Sequence, residues 1–150
     1  MTAGANPNPD QTTKTKSSGR ILPAIARILM GLAFTAFGFM GLFHLMPQPK
    51  DLPPAVTEFM GAMVHTHYFF PLLFGTQLVV GLLLLLSLFV PLALVLIMPV
   101  LVNIILYHIF LQPSGIVPGA ILMVLELYLA WAYRKAYCSV LAMKAKPNEE

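Results

Sequence analysis

Charged side chains are scarce in this sequence. Asp, Glu, Lys and Arg make up 10% of the 150 residues, whereas hydrophobic residues make up 58%. A soluble domain usually contains about 25% charged residues, so this composition excludes an ordinary water-exposed surface. The mean hydropathy of +0.80 also indicates a surface that does not face water. We therefore expect a single domain whose surface faces the lipid bilayer.

Cysteine is nearly absent, and the common catalytic motifs are missing. The one cysteine, Cys138, excludes an internal disulfide and a CxxC site for metal or thiol redox chemistry. We find no glycine-rich phosphate loop, no GxSxG motif and no HExxH motif. The formal net charge of +3 does not indicate nucleic-acid binding, because the basic residues flank apolar segments and form no patch interleaved with exposed aromatics. We therefore expect no nucleic-acid partner.

A segment without a charge, residues 71–111, predicts a transmembrane hairpin. A single helix of this length would reach roughly 60 Å, about twice the hydrocarbon thickness of a bilayer. We place the break at residues 87–91, because Pro91 cannot continue a helix but suits the first turn of the next one. The second span is then expected at residues 69–90 and the third at residues 91–111.

Two further spans flank this hairpin. The first is expected at residues 23–46, with Pro23 in its first turn, and the fourth from residue 116 to about residue 137. Several small residues in the first span mark a close contact with another helix: Gly31, Ala33, Ala36, Gly38 and Gly41. A tight turn at residues 112–115 separates the third and fourth spans.

A proline-rich loop at residues 47–54 and a short helix at residues 55–68 connect the first two spans. The apolar residues of this helix fall on one stripe: Val56, Phe59, Met60, Met63 and Val64. The stripe predicts an amphipathic helix on the membrane surface, too short to span. The fold class is therefore all-α, a four-transmembrane-helix bundle with one surface helix between the first and second spans. We expect a disordered polar tail at residues 1–20, the membrane domain at residues 21–138 and a second polar tail at residues 139–150.

The distribution of basic residues predicts the orientation. Eight Lys and Arg residues lie on the side of the termini: Lys14, Lys16, Arg20, Arg27, Arg134, Lys135, Lys144 and Lys146. Only Lys50 lies on the other side. The excess of positive charge predicts that both termini are cytoplasmic.

Polar side chains inside the spans are candidates for a site, because each is costly in hydrocarbon. Glu126 lies two turns before Arg134, roughly 12 Å inside its helix end. Arg27 enters from the same side, so a buried Arg27–Glu126 ion pair would satisfy both charges. Glu126 is then either a proton carrier or ligand contact, or a structural tie between the first and fourth helices.

Two amides and one histidine complete the candidate set. Gln77 and Asn103 lie on the two arms of the hairpin, where they either join the helices or line a small pocket near the kink expected at Pro99. His108 is the deepest of four histidines, and all four are expected at the outer side. Imidazoles can bind metal or haem, but the His65–His67 spacing is not a ready chelate, so we expect no metal site.

Several segments together resemble the DoxX-like family of small four-helix membrane proteins. They are residues 26–31 with Phe34 and Gly38, residues 81–84, residues 89–94, and residues 99–104 with His108. The resemblance covers roughly residues 21–138. It implies the cytoplasmic (inner) membrane of a bacterium.

The resemblance also implies a role in quinone-linked redox chemistry. The first expectation is an accessory subunit of a membrane redox complex with a partner subunit. The residues themselves identify no cofactor, and a quinone is the one that the family resemblance would supply. The alternatives are a quinone-linked oxidoreductase in its own right and a small transporter or membrane-stress factor. In the quinone-linked roles, the polar contacts to a head group or a partner would come from Arg27, Gln77, Asn103, His108 and Glu126.

Overall fold

The computed structural model describes residues 15–46 and 52–137, and within them the protein is all-α with no β-strand. Five α-helices follow one another: α1 (Thr15–Leu42), α2 (Pro54–His65), α3 (Phe69–Leu85), α4 (Val90–Phe110) and α5 (Ile116–Ala132). Short 3-10 helices lie at Pro113–Gly115, before α5, and at Arg134–Tyr137, after it. The all-α fold class is confirmed.

Three segments of the described chain are long and apolar enough to cross a membrane. They are Ile21–Leu42, Val90–Phe110 and Pro113–Ala132, with mean hydropathies of 1.8, 2.5 and 1.8. The 17-residue α3 follows α2 at an angle of 87°, and together this bent pair would make a fourth candidate. These apolar helices are consistent with an integral membrane protein that has three to four candidate spans.

Several helix boundaries differ from the prediction: α1 ends at Leu42 and not at residue 46, α3 ends at Leu85 and not at residue 90, and the start of α1 and the end of α5 differ as well. Helix α1 begins at Thr15, so Pro23 lies inside the helix and not in its first turn. The helix continues in both directions from Pro23, which costs the hydrogen bond that a backbone N–H would have donated there. At the other end α5 stops at Ala132, before the predicted end near residue 137. Residues 1–14, 47–51 and 138–150, to which parts of the predicted tails and loop belong, lie outside the described residues.

The predicted break in the central hairpin is confirmed. Helix α3 ends at Leu85, and α4 begins at Val90 with Pro91 in its first turn. Between them, Ser87 and Phe89 adopt positive φ values of 60° and 47°. This left-handed backbone reverses the chain in four residues, leaving the two helices antiparallel neighbours.

Glycines bring α1 and α3 into backbone contact, as the small residues of the first span predicted. A Cβ atom on Gly38 would lie 2.5 Å from the Leu78 nitrogen and 2.8 Å from the Phe74 carbonyl oxygen. A Cβ atom on Gly81 would lie 2.5 Å from the Thr35 nitrogen. Only glycine permits such an approach in both helices.

The two ends of the bundle differ. The terminal end contains the start of α1, the α3–α4 turn and residues 133–137, where the Tyr137 hydroxyl donates to the Pro91 carbonyl oxygen at 3.3 Å. The loop end contains α2 and the Pro113–Gly115 turn. Between the ends, a core of buried apolar side chains joins α1, α3, α4 and α5; its largest members include Met30, Phe34, Leu84, Leu94, Ile97, Leu101 and Leu129.

Helix α2 packs its predicted stripe toward the bundle. Val56 is fully buried, and Phe59, Met60 and Met63 are half-buried, whereas Glu58 is exposed. Val64 is the exception, since 58% of it is exposed. The amphipathic pattern therefore identifies the packed face of α2 except at its C-terminal end.

Candidate ligand-binding cavity

A cavity of about 430 Å³ opens at the loop end between α2 and the other helices. This volume is in the range of small-molecule sites. Most of its wall is apolar, and aromatic side chains are prominent: Phe34, Phe37, Phe59, Phe69, Phe70, Phe74 and Tyr107. The cavity therefore suits a ligand with a large apolar surface.

Four polar side chains line the same cavity: Gln77, Asn103, Tyr107 and His108. On α4 the lining follows helical spacing, from Val100 through Asn103 and Ile104 to Tyr107 and His108. Three of the five sequence-predicted site residues are therefore brought together on facing helices.

Gln77 is the most informative of these groups. It belongs to the buried stripe of α3 with Val80, Gly81 and Leu84, so helical periodicity turns it inward and not toward lipid. Only 5% of the residue is exposed, and its amide has no hydrogen-bond partner among residues 15–46 and 52–137. Gln77 therefore offers a donor and an acceptor to whatever occupies the cavity.

Gln112 holds the two polar side chains at the end of α4. The Tyr107 hydroxyl donates to Gln112 Oε1 at 2.9 Å, and His108 Nδ1 lies 2.9 Å from the Gln112 carbonyl oxygen. The His108 ring also packs on Gly115, where no side chain intervenes. These contacts fix the orientation of the Tyr107 and His108 rings at the cavity wall.

Helix α2 covers the cavity. Its Phe59 ring stacks on Tyr107, with ring centroids 6.0 Å apart, and Met60 and Met63 also line the wall. A methionine side chain adapts to irregular shapes, so this cover can accommodate ligands of different outline. The predicted surface helix is therefore part of the site.

Arg27 and Glu126 do not line the cavity, and the predicted ion pair between them is not formed. Arg27 Nη1 donates to the Leu84 carbonyl oxygen at 2.9 Å, at the C-terminal end of α3. Such carbonyls have no partner within their own helix, and the helix dipole favours a cation there. Glu126 is 1% exposed, and its Oε2 has no hydrogen-bond partner among the residues that the structure describes. Arg27 therefore bonds to a main-chain carbonyl in the last turn of α3 and not to the Glu126 carboxylate.

The other histidines lie apart from the cavity wall. His44, His65 and His67 are exposed, and His44 and His67 have positive φ values of 57° and 60° at chain reversals. Within the described parts of the chain, no group of three or more His, Cys, Asp or Glu side chains is arranged to hold a metal ion.

Sequence reasoning missed Gln112 as a site residue. Its position immediately before Pro113 and five residues after Tyr107 was read only as part of a turn. A polar side chain at the end of an apolar helix, within reach of two ring side chains one turn back, is the signal that could have found it.

No family model matches this chain, and neither a curated protein nor a solved structure is significantly similar to it. The site must therefore be interpreted from its own geometry.

Proposed function

We propose that the protein binds a quinone-class ring compound in the loop-end cavity and serves as an accessory subunit of a quinone-linked membrane redox complex. The observation that carries this proposal is the side chain of the buried residue Gln77, whose amide lies at an aromatic-lined cavity without a hydrogen-bond partner in the described parts of the chain. The resemblance of residues 21–138 to DoxX-like proteins supports the redox role.

The chemistry of the wall matches such a ligand. A quinone carries a flat ring with polar oxygen atoms and an apolar tail. The aromatic side chains offer ring stacking, which contributes about 0.5–1.5 kcal/mol per pair beyond the buried area. Gln77, Asn103 and His108 offer hydrogen bonds for the ring oxygens, and the apolar remainder suits the tail.

Lipid extraction of the purified protein, followed by an absorption spectrum of the extract, tests the ligand. Wild-type protein is expected to retain a quinone-class compound in near-stoichiometric amount, and Gln77→Leu to retain at least ten-fold less. Because Gln77 makes no hydrogen bond within the described chain, Gln77→Leu is expected to fold normally. Glu126→Gln, a change at a buried polar residue outside the cavity, serves as the control and should retain the wild-type amount. Extracts without any ring compound from a protein purified in mild detergent would refute the proposal.

The accessory role is tested by purification of the tagged protein from its native membrane. A partner subunit is expected to co-purify in fixed ratio, and the isolated protein to show no quinone turnover alone. Turnover by the isolated protein would favour an oxidoreductase in its own right.

We also propose that both termini are cytoplasmic, in the inner membrane of a bacterium, which places the cavity at the outer side. The support is the excess of eight Lys and Arg residues with the termini over Lys50 alone. A Ser114→Cys substitution in a Cys138→Ser background tests this orientation, because Ser114 is exposed in the loop-end turn. The new thiol should react with a membrane-impermeant maleimide added outside. Reaction only after permeabilisation would show the opposite orientation.

A further inference from the structure

We propose that the cavity selects the reduced, hydroxyl-bearing form of its ring ligand over the oxidised, carbonyl-bearing form. The reason is that two cavity side chains donate their hydrogens to Gln112 and can then only accept hydrogen bonds from a ligand. This selectivity rests on the proposed function, since it requires that the cavity holds a ring compound. The argument depends on which atoms at the wall carry hydrogen.

The first committed side chain is His108. Its Nδ1 lies 2.9 Å from the Gln112 carbonyl oxygen, and a carbonyl oxygen can only accept a hydrogen bond. Nδ1 must therefore carry the hydrogen. In a neutral imidazole the other nitrogen, Nε2, then has a lone pair and no hydrogen. His108 can thus accept a hydrogen bond from a ligand but cannot donate one.

The second committed side chain is Tyr107. Its hydroxyl donates to Gln112 Oε1 at 2.9 Å, so the only hydrogen of the hydroxyl is already used. The phenolic oxygen keeps a capacity to accept. Tyr107 and His108 can therefore each bond only to a ligand group that donates a hydrogen bond.

Gln112 can impose this arrangement because its own main chain is fixed. Its N–H donates to the Tyr107 carbonyl oxygen at 3.2 Å, and its carbonyl oxygen also accepts from the Gly115 N–H at 3.3 Å. The residue is thereby held between the last turn of α4 and the Pro113–Gly115 turn. We assign Gln112 as a positioning residue that acts through Tyr107 and His108.

The two amides of the cavity do not oppose this selectivity. Gln77 and Asn103 each carry both a donor and an acceptor, so either form of a ligand can bond to them. A ligand hydroxyl can accept from an amide and donate to His108 or Tyr107. A ligand carbonyl can accept from an amide, but it has no hydrogen to donate to His108 or Tyr107, which are themselves acceptors. The difference between the two forms therefore lies entirely in the side chains that Gln112 orients.

Equilibrium binding to the full chain in detergent micelles at pH 8 tests the selectivity. Three probes of similar shape are used: decyl-1,4-benzohydroquinone kept anaerobic, decyl-1,4-benzoquinone, and the dimethyl ether of the hydroquinone, which keeps the oxygens but lacks the donors. We expect the hydroquinone to bind about ten-fold more tightly than either other probe, the factor that one buried hydrogen bond supplies.

Substitutions at position 112 test the positioning role. Gln112→Leu removes the acceptor of the Tyr107 hydroxyl, which can then donate to a carbonyl, so the preference should fall to about three-fold or less. Gln112→Glu keeps an acceptor oxygen at the same position and should preserve the ten-fold preference. Ser114→Ala, in the same exposed turn, is the matched control and should leave the ratio unchanged.

The outcomes separate the two proposals. Equal affinity for hydroquinone and quinone, or tighter binding of the quinone, overturns the selectivity and leaves ring binding intact. Failure of all three probes to bind overturns ring binding and the selectivity together. A ten-fold preference that persists in Gln112→Leu overturns the role of the Gln112 side chain, which acts through Tyr107, because the variant keeps the main-chain carbonyl that accepts from His108.

Discussion

The Arg27 guanidinium caps the C-terminal end of α3, where its Nη1 donates to the carbonyl oxygen of Leu84 at 2.9 Å. The bond joins the first turns of the α1 membrane segment to the last turn of α3. It adds a charged donor to a carbonyl that also accepts from the Ser87 N–H at 3.3 Å, and it places a positive charge at the negative end of the helix dipole. Arg27 is therefore a structural link at the terminal end of the bundle, distant from the loop-end cavity.

Removal of this link should destabilise the protein without a change in ligand binding. Arg27→Met is expected to lower the free energy of unfolding by about 1.5–3 kcal/mol, the scale of one hydrogen bond to a charged group. Unfolding in mixed micelles titrated with SDS measures this change. Lys135→Met removes an exposed cation at the same end and should change stability by less than about 0.5 kcal/mol. An equal loss in both variants would show that net charge, and not the cap, is responsible.

Glu126 provides the complementary test, because the predicted Arg27–Glu126 ion pair is not formed. Loss of one partner of a buried ion pair usually costs about 3–5 kcal/mol. We expect Glu126→Gln to change the free energy of unfolding by less than about 1 kcal/mol. The double variant with Arg27→Met should be additive within about 0.5 kcal/mol, as for independent sites. Coupling above about 1 kcal/mol in this double-mutant cycle would show that Arg27 and Glu126 do form an ion pair.

The contact between α1 and α3 should tolerate no side chain at Gly38. A Cβ atom there would lie 2.5 Å from the Leu78 nitrogen, so the backbones would have to separate. Gly38→Ala is expected to cost about 1–3 kcal/mol, measured by the same SDS titration. Gly75, on α3, has no atom within 4 Å of its own Cβ position. Gly75→Ala should be neutral or stabilise the protein by up to about 1 kcal/mol, and an equal loss at both glycines would contradict the packing argument.

Phe59 on α2 should control how long a ligand stays in the cavity. Its ring stacks on Tyr107 and forms part of the wall, so Phe59→Ala opens the cover and removes one stacking contact. We expect decylhydroquinone to dissociate about 5–10-fold faster, since a stacked pair is worth about 0.5–1.5 kcal/mol. Stopped-flow displacement measures the rate. Phe110→Ala, at a side chain 78% exposed outside the cavity, is the control, and faster release from both variants would argue for a general loosening.

Much of the fold could be predicted from local signals. The uncharged run of residues 71–111 required two helices, and Pro91 identified where the second begins, because proline suits only a first turn. The glycines of the first span correctly indicated a close helix contact. Helix ends were predicted less well: Thr15 begins α1 and Ala132 ends α5, since the limits of an apolar run do not coincide with the limits of hydrogen bonding.

The sequence by itself determined the all-α class, the hairpin break and which polar residues are unusual in an apolar segment, because scarcity of charge and helical periodicity are local properties. Only the tertiary structure decided how those polar residues are grouped. Gln77, Asn103 and His108 share a cavity, whereas Arg27 bonds to Leu84 and leaves Glu126 without it. The physical reason is that helix packing decides which side chains and main-chain carbonyls come within bonding distance, as the Leu84 carbonyl does for Arg27, and this is not encoded in residue type or in depth along one helix.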